Sequence, residues 1–148
     1  YNANPASLEA AVDLLVSLPK NGARVAVLGT MRELGAASEA LHRRTAEAVA
    51  AADVDLIVAT GEFAVAFQPL ADQLGDRLIA VDDPLDAYAP LARRLSGREI
   101  VLLKGSRGVA LERLLPRFEE DWGRTAEAQR LEDGARPGKE AATAAEGE

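Results

Sequence analysis

The chain has 148 residues, is 48% hydrophobic, contains no cysteine and carries a formal net charge of -7. That length fits one domain able to bury a core, and with aromatics at only 4% the core must be Leu, Val, Ile and Ala. The acidic balance argues against a general nucleic-acid binder, which needs a basic face for phosphates, and the missing cysteines exclude disulfides and thiolate metal sites.

The absence of cysteine is compatible with a cytoplasmic location, which is the expectation here. No apolar run approaches the roughly 20 residues that cross a bilayer, and no secretory signal pattern is visible. The chain opens on Tyr1-Asn2-Ala3-Asn4-Pro5. Two carboxamides and a phenol in one short loop suit hydrogen bonding to, and stacking on, a flat ligand. With no initiator Met and no strand ahead of this loop, the chain reads as a piece of a longer protein.

Behind that loop, Leu8, Ala11, Val12, Leu15 and Leu18 recur at helical spacing over residues 5 to 18. Asn4 suits the N-cap and Pro5 the first helical position. Arg24 to Leu28 (RVAVL) is a short apolar run that predicts a buried strand, followed by a loop from Gly29 to Gly35. Residues 36 to 52 predict a helix, and Val54 to Ala59 a second strand. Residues 62 to 74 predict a helix that Pro69 kinks or divides. Arg77 to Val81 is a third strand, residues 84 to 95 a helix, and Glu99 to Leu103 a fourth strand. A tight loop, Gly105 to Gly108, precedes a last helix over 109 to 119. From about Asp121 the apolar pattern fails, and residues 120 to 148 read as a flexible tail. Strands without polar alternation, alternating with helices, predict an open, mostly parallel α/β sheet with helices on both faces.

In such sheets ligands gather at the carboxyl ends of the strands. Lys104-Gly105-Ser106-Arg107-Gly108 follows the fourth strand. Its glycines allow close backbone approach, Lys104 and Arg107 supply cations, and Ser106 supplies a hydroxyl, so the loop suits an anion. It is not a P-loop, because GxxxxGK[ST] is absent. Gly29 to Gly35 is not GxGxxG, so a dinucleotide fingerprint is not supported. His42, the only histidine, shares a helix face with Glu39. A lone histidine is more often structural than catalytic, and no acidic cluster supplies a metal site. Asn4 is explained by capping, whereas Tyr1 and Asn2 are not.

Taken in order, YNANP with Ser7, Val27-Leu28-Gly29-x-Met31-x-Glu33-Leu34-Gly35, Ser38-Glu39-x-x-His42 and Leu103-Lys104-Gly105-Ser106-Arg107-Gly108 resemble the carboxy-terminal domain of the Mur ligases. Among these, the pattern is most similar to the branch that adds D-alanyl-D-alanine to UDP-N-acetylmuramoyl-tripeptide. The resemblance covers residues 1 to about 118, so the domain is taken as 1 to 119, truncated at its start. It implies a Rossmann-like domain of a three-domain, ATP-dependent amide ligase of peptidoglycan synthesis. That domain closes over ATP and the incoming dipeptide.

The resemblance also implies that the P-loop and the Mg2+ ligands lie in a central domain upstream, and that the isolated chain is inactive, with no catalytic residue and no metal site of its own. Tyr1, Asn2 and Asn4 are implied at ATP; Lys104, Ser106, Arg107, Glu33 and His42 are implied at the substrate. The family usually has Asp where this chain has Thr30, a departure that bears on a polar contact or loop cap. Two other readings stand beside this one: another Mur-type or folylpolyglutamate-type ligase domain, and a non-catalytic α/β binding module.

Overall fold

Residues 3–123 are described by the computed structural model. Helix α1 (Pro5–Ser17) starts at a capping box. Asn4 Oδ1 accepts the Ser7 N–H at 2.8 Å, and the Ser7 hydroxyl oxygen accepts the Asn4 N–H at 3.1 Å. These bonds occupy backbone donors that a helix start leaves unpaired. Leu8, Val12 and Leu15 then form the buried stripe of α1, each worth about 2 kcal/mol of apolar burial.

The chain continues through β1 (Arg24–Leu28), α2 (Ser38–Ala51), β2 (Leu56–Thr60), α3 (Glu62–Ala66), α4 (Ala71–Leu74), β3 (Leu78–Val81), α5 (Pro84–Ala92) and β4 (Ile100–Lys104). Among the described residues the strands make one sheet, ordered β3-β2-β1-β4, with every pairing parallel. β1 and β2 are buried along their whole length, whereas the edge strands β3 and β4 are half-buried for the most part. Central strands covered on both faces need apolar residues at every position, hence the unbroken runs.

Alternation within β1 and β2 divides the core into two layers. Ala26, Leu28, Ile57 and Ala59 join the buried residues of α1, α2 and α3 in one cluster, closed by Phe63 and Phe67. Val25, Val27 and Val58 are equally buried but lie outside that cluster. Their side of the sheet faces α5, which packs on β2 and β3 and on a 3-10 turn, Leu111–Leu114. Helices therefore cover both faces of a parallel sheet, as the alternation of elements predicts.

Two segments depart from the expected helices. Residues 62–74 are broken as Pro69 requires: α3, a 3-10 turn Gln68–Leu70, then α4. Residues 109–119 do not form one helix. Ala110 takes a left-handed conformation (φ 56°) between the 3-10 turns Arg107–Val109 and Leu111–Leu114. A residue at that φ cannot continue a helix. Only Leu115–Phe118 (α6) is α-helical there, followed by a π-helical turn at Glu119–Gly123. The chain divides into two compact units after Leu115. The expected tail, apart from residues 120–123, lies outside the described residues, as do Tyr1 and Asn2.

Candidate functional site

The strand order fixes where a site can be. From β1 the chain steps outward to β2 and β3, and then α5 carries it back across the sheet to β4, on the other side of β1. The connections run in opposite directions from β1 and β4, so the carboxyl edge of these two strands is the topological switch point, the place where open α/β sheets bind ligands in a crevice. Both glycine-framed loops singled out in the sequence meet there. Helix α1 ends ahead of β1 and packs on β1 and β4, which directs its first turn, and Asn4, toward the same edge.

The two loops are tied by backbone and hydroxyl bonds. Gly29 N–H donates to Lys104 O at 2.9 Å, Ser106 N–H donates to Thr30 O at 3.1 Å, and Arg32 N–H donates to Ser106 Oγ at 2.8 Å. Gly29 and Gly105 make this approach possible, since a Cβ on Gly105 would stand 3.1 Å from the Gly29 Cα and one on Gly29 would run into Val109. Ser106 is buried, only 3% exposed, and what the fold brings to its hydroxyl is the Arg32 amide.

His42 is likewise turned inward, 1% exposed. Its Nε2 accepts the Met31 N–H at 2.9 Å, so the ring proton is on Nδ1, which donates to Ser38 O at 2.8 Å. The ring stands edge-on to Phe63 at 4.7 Å between centroids. Glu62 Oε2 lies 3.1 Å from Nδ1 and accepts the Ser38 hydroxyl proton at 2.6 Å. Thr30, the departure from the family pattern, also has a partner: its Oγ1 accepts the Glu62 N–H at 2.9 Å and so caps α3 from the neighbouring loop. Three amides of this loop, those of Gly29, Met31 and Arg32, are thus held by three different elements: β4, α2 and the loop after β4.

On the open side of these braces stand cations. Lys104 is half-buried at the end of β4, paired in register with Leu28, and Arg107 is exposed at the start of its 3-10 turn. Arg32 is exposed too, and its guanidinium lies against Gly108, with Nη1 in the space a Cβ on Gly108 would fill. Among the described residues none of these three makes an ion pair. Glu33 sits at the crest of the same loop, exposed, in a left-handed conformation (φ 62°) that turns the chain toward α2. The structure thus places Lys104, Arg107 and Glu33, together with Arg32, on the loops at this edge, and turns Ser106 and His42 inward, where they hold loop amides.

A second concavity opens between the start of α2 and α3, with a volume of about 590 Å3; Gly35, Ser38, His42, Glu62, Val65 and Pro69 are among its walls. The carboxylates with displaced titration lie elsewhere. Asp55 and Glu99 are held below their ordinary range by hydrogen bonds in the turns before β2 and β4, at the amino edge of the sheet. They serve the scaffold and not the crevice.

The family described as Mur ligase, glutamate ligase domain matches residues 1–107. The chain belongs to this family. It is 35% identical over 123 residues to the UDP-N-acetylmuramoyl-tripeptide–D-alanyl-D-alanine ligase of Escherichia coli (strain K12), a match covering 82% of this chain and 26% of that protein. Among solved structures it is similar to MurF from Acinetobacter baumannii, with a TM-score of 0.71 at 33% identity, covering 81% of this chain and 27% of that one. It is also similar to MurF ligase from Thermotoga maritima in complex with ADP, with a TM-score of 0.63 at 30% identity, covering 84% and 28%. This Mur ligase domain therefore spans about a quarter of the length of the curated relatives it matches.

Proposed function

We propose that this Mur ligase domain is the substrate-closing part of an ATP-dependent amide ligase that joins D-alanyl-D-alanine to UDP-N-acetylmuramoyl-tripeptide in peptidoglycan synthesis. The observation that carries the reading is the pair of cations at the switch point, Lys104 and Arg107, which stand without ion-pair partners among the described residues. No described carboxylate pairs with these cations, which stand at the edge where the topology favours a ligand. An incoming carboxylate or phosphate supplies the missing charge.

In the reaction so assigned, ATP phosphorylates the terminal carboxylate of the tripeptide, giving ADP and an acyl phosphate. The amine of D-alanyl-D-alanine attacks the acyl carbon. The tetrahedral intermediate then expels inorganic phosphate as the amide forms and the amine loses its proton. The contribution of this chain is placement. Lys104 and Arg107 hold the anionic end, and the braces at Ser106 and His42 keep the loops fixed so that orientation is not lost on each encounter. Glu33, exposed on the same crest, stays a candidate for substrate contact.

ATP is assigned to the opening loop. Tyr1 and Asn2 lie outside the described residues; Asn4 has committed Oδ1 to its cap, which leaves its amide nitrogen for a ligand. Among the described residues no group of three His, Cys, Asp or Glu gathers as a metal site, and Mg2+ with its P-loop is assigned to an upstream domain. No helix among the described residues is long and apolar enough to cross a membrane; the proposal puts the reaction in the cytoplasm, where ATP is available.

The test joins this domain to the upstream part of its gene product and measures phosphate release. Release should require ATP, the UDP-linked tripeptide and D-alanyl-D-alanine together, and the 148-residue chain alone should give none. A folded full-length protein that releases phosphate with glutamate or a diamino acid, and not with D-alanyl-D-alanine, would move the assignment to another member of the family.

A further inference from the structure

Arg32 lies in the loop that leaves β1, one residue before Glu33, and is not among the candidate site residues of the sequence. Two observations tie it to the loop after β4. Its N–H donates to Ser106 Oγ at 2.8 Å, and its guanidinium rests on Gly108, with Nη1 in the volume of the absent Cβ. Gly108 has no positive φ, so its backbone does not call for glycine. What glycine provides there is room for the Arg32 head group. An exposed guanidinium laid on the loop that also carries Lys104 and Arg107 adds to that loop's positive charge and favours an anion there. Among the described residues Arg32 forms no ion pair.

We propose that Arg32 determines specificity at this crevice: it is a second guanidinium arm, supplied by the β1 loop and seated by Gly108, that grips the oxyanion held by Arg107 and Lys104. The proposal rests on the ligase reading for the identity of the substrate, not for the presence of the anion. A planar fork can hold two oxygens of one carboxylate or of one phosphoryl group. The carboxylate of the dipeptide and the phosphates of the nucleotide share that chemistry.

The test uses the full-length ligase and varies one substrate at a time. With Arg32→Met, the KM for D-alanyl-D-alanine should rise about 10-fold with the KM for ATP unchanged if the oxyanion is the dipeptide carboxylate; the reverse pattern assigns the phosphate. Arg32→Lys keeps the charge but loses the fork and should fall between. Gly108→Ala should displace the guanidinium, a flexible side-chain end, without straining the backbone, and should raise the same KM. The double variant Arg32→Met/Gly108→Ala should be no worse than Arg32→Met alone, since both remove one interaction. Arg32→Met within 2-fold of wild type for both substrates overturns the proposal, as do independent, multiplying effects at the two positions.

If the wild-type ligase shows no use of D-alanyl-D-alanine, the functional reading is what has failed. The Arg32 claim is then read from the chain itself. The Arg32 side-chain N–H resonance, identified by its loss in Arg32→Met, should shift on titration with inorganic phosphate or D-alanyl-D-alanine. A resonance unmoved by either sinks the claim.

Discussion

The imidazole of His42 accepts the backbone N–H of Met31 at 2.9 Å, deep under the loop that leaves β1. This bond joins a helix to the loop that carries Arg32 and Glu33, and it consumes the one nitrogen that would otherwise serve as a base. Replacing His42 with Ala removes a buried ring from against Phe63 and strands the Met31 amide. Unfolding free energy should fall by about 2–4 kcal/mol, the sum expected of a lost buried bond and a partly filled cavity. Urea denaturation of the variant checks the size. The tautomer is a separate check: long-range 15N–1H spectra should show the proton on Nδ1, and a protonated Nε2 would break the assignment.

Thr30 gives a milder prediction of the same kind. Its hydroxyl oxygen caps α3 through the Glu62 N–H at 2.9 Å. Thr30→Val keeps the shape and loses the acceptor, and should cost about 1 kcal/mol. Thr30→Asp restores an acceptor and puts negative charge at a helix start, so it should stay within about 0.5 kcal/mol of wild type. If both variants were equally destabilised, the side chain's role would be packing and not capping.

These two residues also mark what a linear reading can reach. β1 ran from Arg24 to Leu28 as its unbroken apolar run requires, and the division of 62–74 followed from a proline that cannot donate. Such features are local, and the residues that cause them are the residues that show them. The helix expected over 109–119 failed because Ala110 adopts a left-handed backbone, a choice that alanine's own propensity opposes and that nothing in its neighbours' types announces. Lys104 and Arg107 stand out in the sequence as candidates because a charged, glycine-rich loop after a strand is chemically conspicuous. Arg32 does not, because its place against Gly108 depends on β4 returning beside β1, and that adjacency is set by the whole strand order. The partners of Ser106 and His42 are hidden for the same reason: the amides of Arg32 and Met31 reach them only once the loops are folded together.

Arg107 is the sharpest test of the proposed anion site. It is exposed, begins its 3-10 turn and has no ion-pair partner among the described residues. Its removal should therefore leave the fold almost untouched, within about 0.5 kcal/mol. In the full-length ligase, Arg107→Ala should lower kcat/KM for D-alanyl-D-alanine by roughly 10-fold or more, the loss expected of one charge-assisted hydrogen bond worth about 1.5–3 kcal/mol. Thermal denaturation beside steady-state kinetics separates the two quantities. Equal loss of stability and activity would mean the residue is part of the scaffold.

Acid should loosen the opposite edge of the sheet first. The Arg24 N–H, donating at 2.8 Å, holds the Asp55 carboxyl below its ordinary value of 3.8, against the effect of burial and with help from Lys20 at 3.0 Å. Burial pushes the Glu99 carboxyl up, but bonds from the Ser96 N–H at 2.7 Å, the Ser96 hydroxyl at 2.9 Å and the Gly97 N–H at 2.9 Å outweigh it, and the net displacement is below 4.5. Both pKa values are lower folded than unfolded, so the stabilisation is complete above the ordinary carboxylate values and is lost as pH falls through the folded ones. Asp55 is about one-third exposed at its side chain, and screening keeps its share small. Asp55→Asn should destabilise the chain by about 1 kcal/mol at pH 7, and the gap to wild type should close as pH falls below about 4. Urea denaturation of both proteins at pH 7 and pH 3 measures it. A gap that widens toward acid would show that the Asp55 carboxylate is not bound in the way its contacts with Arg24 and Lys20 require.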